Sequence, residues 1–272
     1  MRPAEFELLR PRGRAELDAI LARPDADTYW LAGGQALLKD MRQRLLAPKR
    51  LVDISGLAEL DYIRAQGDVL EIGAVTRLAT LATDATVRRH CPALAAAAAA
   101  VGDVQIRNRA TVGGNLCTGG GADVAVALLA AGAEIVVAGA GQQHRRQLAD
   151  FLAGETAGNR GELIVAIRVP AAPARGFVKF SRRAADPGIV SAAATLGARP
   201  GLAFGGVHGH VVAPPADALP ALEPGSAALR TALEAFAGEL DPPDTPHASA
   251  AYRRRILAVI ADRAVRAAAG AA

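Results

Sequence analysis

Two short glycine turns, about eighty residues apart, constrain this chain more than any other feature: Leu31-Ala32-Gly33-Gly34-Gln35-Ala36 and Thr111-Val112-Gly113-Gly114-Asn115. The first follows Thr28-Tyr29-Trp30-Leu31, which reads as a strand, and it leads into a helix expected over Gln35 to Arg44. A side chain at any of the four glycines would hold an anion away from the backbone N–H groups, whereas glycine lets the main chain approach and turn freely. The N-terminal end of a helix adds a favourable dipole. Each turn alone reads more readily as an ordinary tight turn. Taken together, they suggest a cradle for one diphosphate and therefore a nucleotide cofactor. Neither turn matches Gly-x-Gly-x-x-Gly or Gly-x-x-x-x-Gly-Lys-Ser/Thr, so the doubly wound dinucleotide fold and the P-loop fold gain no support.

The rest of the chain alternates helix and strand. Arg14 to Ala22 has helical spacing with a stop at Pro24, Leu51 to Ile54 and Val69 to Ala74 read as strands, and Thr76 reads as a helix cap. Pro92 to Ala100 and a segment beginning near Asp123 read as helices, and Glu134 to Ala138 as a strand. A linker around Pro170 and Pro173 separates residues 1–170, in lobes of about 1–55 and 56–170, from residues 174–272. Beyond it, three strands (Phe177 to Phe180, Ile189 to Leu196, Leu202 to Val207) and two helices (Ala227 to Ala237, Ala248 to Ala268) predict an α+β unit.

Several function classes fall away on composition. The net charge of +4 is spread along the chain, and the cluster Arg253-Arg254-Arg255 reads as a solvated helix face, so nucleic acid is not an expected partner. Cys91 and Cys117 cannot supply the four ligands of an iron–sulfur cluster, and the five histidines show no metal-ligand spacing. His208 and His210 would share one face of a strand. No apolar run reaches the length of about 20 residues that spans a bilayer. Without a secretory start the cytoplasm is the expected compartment. No catalytic Ser/His/Asp arrangement stands out.

In family order the chain carries Ala32-Gly33-Gly34, Leu51-Val52-Asp53-Ile54, Ile72-Gly73-Ala74, Gln105-Ile106-Arg107-Asn108, Thr111 to Asn115, Glu162-Leu163-Ile164, Lys179, Arg182-Arg183-Ala184-Ala185-Asp186 and Ser249 to Arg254. With these motifs it resembles the FAD-binding medium subunit of molybdenum hydroxylases of the carbon monoxide dehydrogenase and xanthine dehydrogenase type, over nearly its whole length. The resemblance implies a two-lobed α/β FAD-binding domain of the PCMH type, followed by a C-terminal domain with a three-stranded antiparallel sheet and helices. It implies FAD as cofactor, with molybdopterin and [2Fe-2S] clusters only in partner chains. Those partners would be a large molybdopterin subunit and a small iron–sulfur subunit, assembled as a dimer of heterotrimers.

The resemblance assigns cofactor binding to Leu31 through Ala36 and to Thr111, Gly113, Gly114 and Asn115, with backbone amides as the main donors. It adds Asp123, which reads equally as an N-cap, Ile164, which reads more simply as a buried strand residue, and Lys179, a cation near the flavin that would favour its reduced form. Two departures stand out: Gln35-Ala36 replaces a commoner hydroxyl residue, and Gly119-Gly120-Gly121 shortens the loop before Asp123. Two other functions stay open at this point, a flavin-free assembly module and a standalone FAD reductase of the same fold.

Overall fold

The computed structural model describes residues 4–23, 25, 27–118, 123–154, 161–172 and 176–270. Pro24, the glycine-rich loop at 119–122 and the linker residues 173–175 lie outside them.

The first unit comprises β1 (Glu7–Leu9), α1 (Arg14–Leu21), β2 (Thr28–Leu31), α2 (Leu37–Arg42) and β3 (Arg50–Asp53), with the strands parallel in the order β1-β3-β2. Leu17 and Leu21, four residues apart on α1, share one helix face and bury it with Val52 and Ile54.

Residues 63–170 form an antiparallel sheet of β4 (Ile63–Gln66), β5 (Val69–Gly73), β6 (Glu134–Gly139), β7 (Gln142–Gln147) and β8 (Leu163–Pro170), in the order β4-β5-β8-β6-β7 among the described residues. Between β5 and β6 run α3 (Leu78–Thr83), α4 (Ala85–His90), α5 (Pro92–Ala99), α6 (Val104–Arg107), α7 (Val112–Leu116) and α8 (Asp123–Ala130), while α9 (Leu148–Ala153) follows β7. Strand alternation divides the sheet's side chains between two cores. Leu70, Ile72, Ile135 and Ile167 face the helices, whereas Val165, Leu163 and Ala138 face α1. Ala93, Ala95, Ala97 and Ala98 of α5 are buried, and such small side chains let this helix lie close between α3 and α8, while Ala96 and Ala99 face solvent.

The C-terminal sheet pairs β9 (Gly176–Phe180), β10 (Val190–Thr195) and β11 (Gly201–Gly205) antiparallel in the order β11-β10-β9, and α10 (Ala227–Glu239) and α11 (Ala250–Ala268) cover it. Every residue of β10 is buried, since Ala193 turns toward α8 while Ala192 and Ala194 turn toward α11. The chain is thus a stack: first unit, five-stranded sheet, helices, three-stranded sheet, terminal helices.

Four expectations are corrected. The helix expected from Gln35 begins only at Leu37, because Gly34 (φ +73°) turns the chain and Gln35-Ala36 complete that turn. Thr76 does not cap α3; its hydroxyl donates to the Tyr62 carbonyl, and Arg77 occupies the cap position. Arg253 is buried rather than solvated: its guanidinium donates to the carbonyls of Ile189 and Gly206 and to the Thr245 hydroxyl. His208 and His210 lie in bends beyond β11, not on a strand, and their rings meet edge to face at 4.8 Å.

Candidate cofactor site

A cleft of about 1230 Å³ opens where the first unit, the five-stranded sheet and the C-terminal sheet meet. Cavities for drug-sized ligands hold roughly 300–1,000 Å³, so this one has room for a dinucleotide-sized molecule. The structure brings Ala32, Gly33, Gly34, Gln35, Ala36, Thr111, Gly113, Gly114, Asn115, Asp123, Ile164 and Lys179 together on its walls. Leu31 stands apart: it ends β2 and packs its side chain over Gly34 instead of lining the cleft.

The two glycine turns touch each other. A Cβ on Gly33 would lie 2.2 Å from the Arg109 carbonyl oxygen and 2.9 Å from Ala110 Cα, so the absence of a side chain lets the first turn seat against the backbone that leads into the second. Gly113 is equally confined, with a Cβ there falling 2.9 Å from Ala74 O. These glycines therefore serve close backbone packing as well as access for an anion. Arg77 reinforces the junction by donating from its guanidinium to Arg109 O.

The turns differ in what they offer. Among the described residues, the N–H groups of Gly33, Gly34, Gln35 and Ala36 donate to no protein acceptor. The amides of the second turn are engaged: Val112 donates to Thr76 O, Gly113 to Ala74 O, Asn115 to Thr111 O, and Gly114 to the Thr111 hydroxyl oxygen at 3.2 Å. Thr111 is thus the N-cap of α7. The expectation that amides dominate both turns holds only for the first. At the second, Thr111 and Asn115 line the cleft, and Asn115 Oδ1 is a buried acceptor with no partner.

Asp123 and Lys179 form the far wall. Lys179 Nζ lies 2.9 Å from Asp123 Oδ2 and donates to Ala100 O at 2.8 Å, with both side chains almost fully enclosed. Asp123 opens α8, but its carboxylate takes this lysine and leaves Oδ1 without a partner. Burial pushes the Asp123 carboxyl up, against the pull of Lys179. Ile164, on β8, is buried at the cleft edge.

Some lining residues carry no sequence signal. Trp30 borders the cleft, and its indole N–H donates to Glu162 O at 2.9 Å, tying β2 to the start of β8. Arg146 sits over the Phe151 ring, and Ala185 with Pro187 closes the C-terminal side. Cys117 is exposed on the cleft wall, and desolvation by the surrounding protein pushes its thiol up to about 11, so little thiolate forms at neutral pH. Among the described residues no group of three or more His, Cys, Asp or Glu could hold a metal ion.

The residues present suit a dinucleotide: free amides and a helix start for a diphosphate, orphaned side-chain acceptors for donors on a base or ring, and an enclosed cation. Residues 4–172 match the family described as the FAD binding domain in molybdopterin dehydrogenase. The chain belongs to this family. The chain also resembles characterised proteins. It is 33% identical over 219 residues to the glyceraldehyde dehydrogenase medium chain of Sulfolobus acidocaldarius, covering 76% of this chain and 78% of that one. It is 35% identical over 192 residues to the carbon monoxide dehydrogenase medium chain of Hydrogenophaga pseudoflava, covering 68% and 67%. Among solved structures, carbon monoxide dehydrogenase from Hydrogenophaga pseudoflava, in a form lacking the Mo-pyranopterin moiety, superimposes with a TM-score of 0.90 at 29% identity, covering 100% of this chain and 99% of that one. Quinoline 2-oxidoreductase from Pseudomonas putida 86 gives 0.85 at 28% identity, with the same coverage. The α+β architecture and FAD as the family's cofactor follow. The chain is thereby an FAD-binding medium subunit of the molybdenum hydroxylase type.

Proposed function

We propose that this subunit carries electrons from an iron–sulfur partner chain to an external acceptor by way of FAD held in the cleft, while substrate is oxidised in a large molybdopterin subunit. The observation that carries the reading is the pairing of the unengaged Gly33–Ala36 amides with the orphaned acceptors Asn115 Oδ1 and Asp123 Oδ1 in one cleft. FAD supplies the redox chemistry; the protein supplies position and electrostatics.

In this reading the first turn, Leu31 to Ala36, grips the diphosphate through its amides, and Thr111, Gly113, Gly114 and Asn115 close over it with a hydroxyl and a carboxamide. Asp123, Ile164 and Lys179 face the flavin end. Residues 1–170 make the FAD-binding part and 174–272 the C-terminal part, and the separate sheets at 7–53, 63–170 and 176–205 support that division. Partner chains are a large molybdopterin subunit and a small two-cluster subunit in a doubled heterotrimer, in the cytoplasm. Among the described residues no helix is long and apolar enough to cross a membrane.

The test is an absorbance spectrum of the purified protein before and after denaturation, with chromatography of the released cofactor. About one FAD per chain supports the reading. No flavin after incubation with excess FAD overturns it and favours the flavin-free assembly module.

A further inference from the structure

The lysine on the cleft wall is not a free cation. Lys179, on β9, and Asp123, at the start of α8, come from different layers of the fold and meet at 2.9 Å with side chains only 7% and 4% exposed. Lys179 spends a second N–H on Ala100 O. Asp123 Oδ2 faces the lysine, and Oδ1 remains unpartnered inside the same cleft. Ser191, buried on β10, lies beside this carboxylate.

A buried ion pair is a poor stabilising device, because desolvating both charges offsets most of their attraction and well-packed apolar residues of similar size do as well or better. The same pair set in the wall of a cleft is a candidate for a functional role. A lysine alone there would act at full strength on any charge that develops nearby, since the enclosed site screens little. With its carboxylate attached, the wall presents a dipole of nearly zero net charge, held in place from two sides by Asp123 and Ala100.

We propose that Asp123 positions Lys179 and offsets its charge, so that the pair holds the reduction potential of the bound FAD below the value that the lysine alone would set. This inference rests on the FAD reading above. It assigns the acidic partner a tuning role distinct from gripping the cofactor: the carboxylate restrains the electron affinity of the site and keeps the bound FAD able to pass electrons onward.

The test is potentiometric, on the FAD-loaded full chain with reference dyes. Asp123→Asn keeps the shape and removes the negative charge, so the reduction equilibrium should shift at least about tenfold toward reduced FAD, which for a two-electron couple is about +30 mV. Lys179→Gln should shift it the opposite way. Ser191→Ala, which removes the hydroxyl interacting with the same carboxylate but no formal charge, should move the potential far less than Asp123→Asn. Should Asp123→Asn not fold, Asp123→Ser decides on the same readout: a raised potential supports the offset, and an unchanged or lowered one overturns it. An unchanged or lowered potential in Asp123→Asn, a raised one in Lys179→Gln, or an equal shift in Ser191→Ala overturns it. FAD content measured on the same samples keeps the two readings apart: absence of FAD in the parent protein sinks the cofactor reading, whereas normal loading with an unmoved potential sinks only the offset.

Discussion

Replacing Gly33 by alanine adds one methyl group at the junction of the two turns. Gly33 is not in the left-handed region, so alanine meets no backbone penalty there and the whole effect is steric. The new Cβ would start 2.2 Å from Arg109 O, and an ordinary contact needs 3.4 Å, so the turns must separate by about 1.2 Å. Neither side yields cheaply: Arg109 O accepts from the Arg77 guanidinium, and the neighbouring Ala110 O accepts from the Leu78 amide. Overpacking of this kind costs about 1–3 kcal/mol of stability. A shift of that size also pulls one or two of the Gly33–Ala36 amides out of reach of a phosphate. Each such charge-assisted bond is worth roughly 1.5–3 kcal/mol, and about 1.4 kcal/mol is tenfold in Kd, so FAD affinity should fall by about ten- to a hundredfold per lost bond. The assay is a titration of apo-protein with FAD, alongside thermal unfolding with and without FAD. Gly56→Ala is the control, since a Cβ there meets nothing within 4 Å and φ is not positive. If Gly33→Ala binds FAD within about threefold of the parent while losing stability, the turn serves packing alone and the cradle argument is refuted.

Other measurements probe separate parts of the molecule. Arg253→Met strands the Ile189 and Gly206 carbonyls in a buried setting and should cost roughly 2–5 kcal/mol of stability, whereas exposed Arg255→Ala should stay within about 0.5; equal melting temperatures for the two would contradict the role given to Arg253. Cys117, its thiol pushed up to about 11, should alkylate slowly in apo-protein and scarcely at all once FAD is bound, with Cys91 inert in both; fast labelling of Cys117 in the loaded protein would place the cofactor elsewhere. Tyr62 is pushed up to about 12, chiefly by burial and then by Glu71, to which its hydroxyl donates. A raised folded value means that the unfolded chain releases this proton first, so Tyr62 adds a stabilising contribution that is intact below pH 10 and lost on rising toward 12. An alkaline titration followed by phenolate absorbance should show one late tyrosine that Tyr62→Phe removes; no late component would rule the assignment out.

Much of this fold is visible in the sequence because buried strands are written in apolar residues. Val69 to Gly73, Glu134 to Gly139 and Val190 to Thr195 were expected close to their observed limits. Edge strands are another matter. Gln142–Gln147 is polar throughout because it closes the sheet at its solvent side, and a polar edge discourages pairing with other chains, so its role leaves no hydrophobic period to read. Ile63–Gln66, at the opposite edge, does alternate apolar and polar residues, but four residues are too short a stretch to stand out. The site divides similarly. Glycine pairs advertise that the backbone must come close to something, but not to what: Gly33 meets Arg109, and Gly113 meets Ala74, both partners fixed only by the fold. Asp123 and Lys179 each stand out singly, and nothing in the chain between them announces that they pair. The engaged amides of the second turn are invisible for the same reason, since their acceptors at Ala74 and Thr76 belong to another segment.

The layered stack has a consequence for divergence within such proteins. The first unit and the helices around α7 line the cleft with the two glycine turns, whereas Lys179 of β9 and Ala185 and Pro187 of the segment between β9 and β10 line it from the C-terminal side. Its own core, around Phe204, Leu233 and Leu257, lies on the far side of that sheet. Substitutions in the segment from Ser181 to Gly188 can therefore reshape one end of the cleft while neither the glycine turns nor any buried core changes. A lineage is free to remodel that end of the cleft by drift in a short surface segment, with the glycine turns inherited intact.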